Sequence, residues 1–196
     1  SCSSSFRRSA LILNSFAWQR ANEIPADYAM YYNDQAGFEV MIPAAWTLGA
    51  SGNAVVATDG DTGASETLMM TNNTSYFDSV TATDMAKILN TGQSGFMMNS
   101  YDNSKETATA KCTYIIDNVQ YQETVYGYAT GKAMYFVTFD YEAGTVSDEM
   151  IELCGNSFRT FGQTSENTSD TEEPQSDTVS SSADTNVQNE QETSGK

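Results

Sequence analysis

Carboxylates, hydroxyls and thiols are the groups in this chain that could do chemistry, because its 196 residues include no histidine. Without imidazole there is no Ser-His-Asp or Cys-His relay, and no His-ligated zinc, iron or copper. Cys2, Cys112 and Cys154 are too few and too scattered for an all-thiolate zinc site. Acid–base work would fall to carboxylates such as Asp140 and Glu142, in a hydrolase or transferase that uses a carboxylate pair or a hydroxyl nucleophile. Spacing alone gives neither acid a partner.

Three other patterns could carry chemistry. The segment DGDTGAS places Asp59 and Asp61 at alternate positions, with Glu66 following, as a calcium loop would. An EF-hand needs Gly at position 6 and Glu at 12, whereas counting Asp59 as 1 puts Gly63 at 5 and Glu66 at 8, so a solvated turn is the stronger reading. Tyr101 with Lys105 and Tyr128 with Lys132 match the proton-donor spacing of short-chain dehydrogenases, but no Gly-rich phosphate loop accompanies them. Cys112 and Cys154 read as inward positions of a strand and of the last helix. They form either a disulfide joining helix to sheet or two buried thiols.

The elements that would position these groups follow from periodicity. AMYY, NDQAG and FEVMI read as strand, turn and strand, with Phe38, Val40 and Ile42 on one face and Glu39 and Met41 on the other until Pro43 stops the ladder. AVVAT and ETLMMT form a second hairpin around the acidic tip. In TATDMAKILNTG, Thr81 and Asp84 make a capping box for a short helix that could extend through GFMM. TATAKCTYII, VQYQETVYGYA and AMYFVTFDY make a three-stranded meander, the first turn being Asp117 and Asn118. Its rings, among them Tyr114, Tyr121, Tyr126 and Tyr141, read as sheet core in preference to a sugar-binding face. A closing helix in TVSDEMIELCGNSFRTF would be capped by Thr145 and Asp148, with Met150, Leu153, Cys154, Phe158 and Phe161 inward.

The two ends differ from this body. Ser1-Cys2 followed by serines resembles the lipidation site of a bacterial lipoprotein, with Cys2 the acylated residue. The run ALILNSFAW is too short to span a bilayer. Residues 163–196 hold eight acids, one base and almost no apolar side chains, so ordering them would not be offset by burial. The expected organisation is a leader or tether at 1–27, a domain at 28–162 and a disordered acidic tail at 163–196. A formal net charge of −17 repels phosphate backbones, which excludes nucleic acid as a partner, and it disfavours direct docking to anionic lipid.

YYNDQAGFEVMIPAAW, the strand MYFVTFDY and the ending NSFRTF together resemble PsbP-like and Mog-type domains over about residues 28–162. The resemblance implies an α+β fold, a single antiparallel β-sheet flanked by helices in an α-β-α sandwich. Members of that superfamily are mostly binding or assembly proteins, and the acidity, absent histidines and SCSSS start place this chain nearest its bacterial lipoproteins. The functional expectation is a non-catalytic, extracytoplasmic binding or assembly module without a cofactor. It would act on a protein or cell-envelope partner and touch the membrane through a lipid at Cys2 alone. Carboxylate-dependent catalysis and calcium-assisted adhesion are the alternatives.

Overall fold

The computed structural model describes residues 24–161 and a two-residue strand, β1 (Ser5–Phe6). Cys2, the run ALILNSFAW and the acidic tail lie outside the described residues. β2 (Tyr28–Asn33) and β3 (Phe38–Pro43) form the expected first hairpin. β4 (Thr47–Ser51), β5 (Ala54–Thr58) and β6 (Ser65–Thr71) follow, then a 3-10 turn at Phe77–Ser79 and helix α1 (Ala82–Leu89). β7 (Ser94–Asn103), β8 (Thr107–Ile116), β9 (Val119–Ala129) and β10 (Met134–Glu142) lead to helix α2 (Asp148–Gly155) and β11 (Arg159–Thr160).

The single helix-flanked sheet is replaced by two sheets, ordered β1-β2-β3-β11 and β4-β5-β6-β10-β9-β8-β7. Length explains the correction. Seven strands at about 4.8 Å spacing make a sheet about 29 Å wide, whereas α1 and α2 have eight residues each, about 12 Å. Neither helix can cover such a face. A second layer of strands does so: Tyr31, Phe38, Val40 and Ile42 from the small sheet share one apolar cluster with Leu68, Tyr135, Val137 and Phe139 from the large one. Phe158 links them, its ring 5.6 Å from Phe38 and 4.5 Å from Tyr128.

On the opposite face of the large sheet, Phe77 and Met85 cover Ala108, Ala110, Val125 and Phe136. Full burial of a ring such as Phe77 stabilises by about 2–3 kcal/mol. Gly127 makes room for it, since a Cβ there would stand 2.5 Å from Phe77.

Local chemistry sets the element ends. Thr81 caps α1 as expected, its Oγ1 accepting from the Asp84 N–H at 3.2 Å. α2 starts later than the Thr145 box implies: Ser147 Oγ accepts from the Met150 N–H, while Thr145 Oγ1 donates to the Glu142 carbonyl within the preceding turn. Cys154 faces inward as expected, joined by Ile151, whereas Leu153 is 37% exposed. GFMM is strand β7 instead of helix, entered through Gly92 and Gly95, both at positive φ. The rings of the meander are core: Tyr114, Tyr126, Tyr135, Phe136, Phe139 and Tyr141 are all buried.

Candidate functional site

Alternation along β3 turns Phe38, Val40 and Ile42 toward the large sheet and Glu39 and Met41 to the other face, and all six positions of the strand are buried. Register adds Met30 of β2, opposite Met41, and Arg159 of β11, opposite Glu39, to that outer face. α2 stands beside it, fixed by Ser157, whose hydroxyl accepts from the Met41 N–H at 2.7 Å and donates to the Cys154 carbonyl at 2.6 Å. Between sheet and helix runs a groove of about 630 Å³. Ile24, Met30, Met41 and Leu153 make it apolar, and Glu149 and Glu152 of α2 line it with carboxylates. The Arg159 guanidinium donates to the carbonyls of Asn156 and Phe158, so it is engaged at the C-terminal turn of the helix.

A second constellation lies on the Phe77 side of the large sheet. Asp140 of β10 and Cys112 of β8 stand directly opposite Glu123 of β9, one on each side. The Tyr114 hydroxyl donates to Asp140 Oδ1 at 2.8 Å, and Tyr121 stacks on the Tyr114 ring at 5.6 Å. Glu123 is buried, with Oε1 lacking a hydrogen-bond partner. Desolvation, then the charge of Asp140, pushes its carboxyl up to about 8. Desolvation also raises Asp140, against the hydrogen bonds from Tyr114 and with Glu123. Burial and the two nearby acids push the Cys112 thiol up to about 12, so it is no nucleophile at neutral pH. A smaller polar cleft of about 250 Å³ is lined by Lys111, Gln122, Thr124 and Tyr141 together with Cys112 and Glu123.

The other predicted residues are held apart. Asp59 closes its own turn, Oδ1 accepting from the Asp61 N–H and Oδ2 from the Thr62 hydroxyl. Glu66 points away from that turn into the core, fully buried, with neither oxygen hydrogen-bonded. Among the described residues no three His, Cys, Asp or Glu side chains group closely enough to hold a metal ion. Cys112 and Cys154 are free thiols. They cannot bond, because Cys112 lies on the Phe77 face with Ala108 and Ala110 while Cys154 belongs to the cluster between the sheets. The Tyr101 and Tyr128 hydroxyls donate to the carbonyls of Val80 and Gly155, which are structural roles.

Glu123 has no signal of its own in the sequence. It becomes visible only by counting back from the Asp117-Asn118 turn, where Ile116 opposes Val119 and Cys112 therefore opposes Glu123. The groove depends on which strands join which sheet, and no local pattern encodes that.

No family model and no curated protein matches the chain. A solved structure from Bacteroides thetaiotaomicron VPI-5482 is similar with a TM-score of 0.47 and 13% identity, over 65% of this chain and 46% of that one. A protein of unknown function from Pseudomonas aeruginosa, described as a putative regulator, is similar with a TM-score of 0.35 and 13% identity, over 60% and 85%. The chain thus spans under half the length of the Bacteroides protein. No helix among the described residues is long and apolar enough to cross a membrane.

Proposed function

We propose that the protein is a non-catalytic, extracytoplasmic binding or assembly module, held at the cell envelope through Cys2, whose recognition surface is the groove between α2 and the outer face of the small sheet. The occupant is a segment of a partner protein that carries arginine or lysine between apolar side chains. The supporting observation is the pairing of Glu149 and Glu152 with an apolar floor of Met30, Met41 and Leu153 in one groove. Thioether side chains adapt to varied apolar partners, and carboxylates lining such a floor favour cationic ones and reject acidic ones. The strongly acidic chain around it would steer the same partners.

The test compares the wild-type chain with Glu149→Lys/Glu152→Lys, using a fluorescent peptide of alternating Arg and Leu and an Asp/Leu control. Binding of the basic peptide should fall at least tenfold in the variant, and the control should not bind wild type. Equal binding to both chains would sink the groove. Mass spectrometry of the membrane fraction tests the lipid at Cys2 separately.

A second reading, carboxylate-dependent hydrolysis or group transfer, is favoured by one observation, the buried Glu123 directly opposite Asp140, with its carboxyl pushed up to about 8. It requires turnover of a chromogenic ester or glycoside panel that Asp140→Asn abolishes.

A further inference from the structure

Two carboxyls side by side in the middle of a sheet need something to hold their charge, and among the described residues no cation is placed against them. Glu123 is 6% exposed and one of its oxygens has no partner. The titratable groups coupled to the pair are all acids or weak acids: Cys112 and Tyr114 from β8, and the two carboxyls on each other. Lys111 neighbours Cys112 in sequence, but strand alternation turns it to the opposite face.

We propose that Glu123 and Asp140 share one proton and act as a pH-sensitive clasp on the end of β10 that leads into α2. Asp140 lies two residues before the last residue of β10, and α2 begins at Asp148. The β9–β10 turn is at the far end of the hairpin, so the end held by the pair is the open one. With the proton in place, the two groups hydrogen-bond and Tyr114 donates to the remaining charge on Asp140. Without it, two adjacent anions in a desolvated position repel each other, and β10 parts from β9 at that end. The proposal does not depend on what the groove binds.

The direction of the pH effect follows from linkage. The folded pair holds a proton up to about pH 8, whereas the unfolded chain releases it near 4.5, the ordinary value for Glu. Stability from this source is therefore complete below about pH 4.5 and is lost as pH rises to about 8. For the opening of β10 from β9, each pH unit within that window lowers the closed-to-open ratio of this end by about tenfold.

Hydrogen exchange of the full chain, corrected for the intrinsic rate, provides the test. Between pH 6 and 9 the peptide covering 138–155 should lose at least tenfold in protection while β2 loses less, and Glu123→Gln should abolish the difference. Should that variant fold poorly, Tyr114→Phe serves instead. It removes a donor that favours the Asp140 anion, so the transition should move to higher pH. A wild-type loss spread evenly over the molecule, a Glu123→Gln profile parallel to wild type, or an unmoved transition in Tyr114→Phe would each overturn the clasp.

Discussion

Glu66 shows how a residue can be right in type and wrong in role. Its place beside an Asp-Gly turn suggests a ligand, yet alternation on β6 puts it on the inward face with Leu68, opposite Phe139. Buried there, its carboxyl is raised well above the usual range by desolvation. The unfolded chain ionises the same group near 4.5, so its contribution to stability is complete below that pH and declines as pH rises. Glu66→Met removes an unsatisfied buried polar group at similar volume and should stabilise by about 1–3 kcal/mol at pH 8, and by less at pH 4. Urea denaturation at the two pH values measures this, and a variant less stable than wild type at pH 8 would contradict it.

At the scale of elements, α2 is held from three sides: Ser147 caps it, Ser157 ties its end to β3, and Gly155 lets it approach the sheet. A Cβ at Gly155 would stand 2.2 Å from the Tyr126 ring, so Gly155→Ala should cost about 1–3 kcal/mol through overpacking and lower the melting temperature. Ser147→Ala should cost about 1 kcal/mol by orphaning the Met150 N–H, and Ser147→Asp should restore it. Thermal unfolding by circular dichroism distinguishes the two, because only the capping defect has a conservative rescue. The elements that were legible in the sequence carry local signals. The Asp117-Asn118 turn, both residues at positive φ, joins two long strands in a two-residue hairpin. The Thr81 box starts α1, and the alternation in FEVMIP separates the two faces of β3, although both are buried. What could not be read was assembly. Nothing local to Tyr28–Pro43 says that its hairpin stacks on the meander's sheet instead of joining it, and both the groove and the α-β-α error follow from that one fact.

For the molecule as a whole, charge is the dominant long-range property. Between residues 24 and 161 there are seventeen acids and five bases. Self-repulsion of this kind weakens the compact state and is screened by salt, whose Debye length falls from about 30 Å at 0.01 M to about 8 Å at 0.15 M. The melting temperature at pH 7 should therefore rise by several degrees over that range, and calorimetry that found it unchanged would show the charges to be already compensated. The expected basic partner would respond in the opposite way, releasing as salt is added.

The separation of Cys112 from Cys154 by the thickness of the large sheet makes the protein its own two-channel probe. Each face of the large sheet hides one thiol, Cys112 on the face that carries Ala108 and Ala110 and Cys154 between the sheets. In a Cys2→Ser background, the order in which a thiol reagent marks the two would report which layer opens first, without any introduced label.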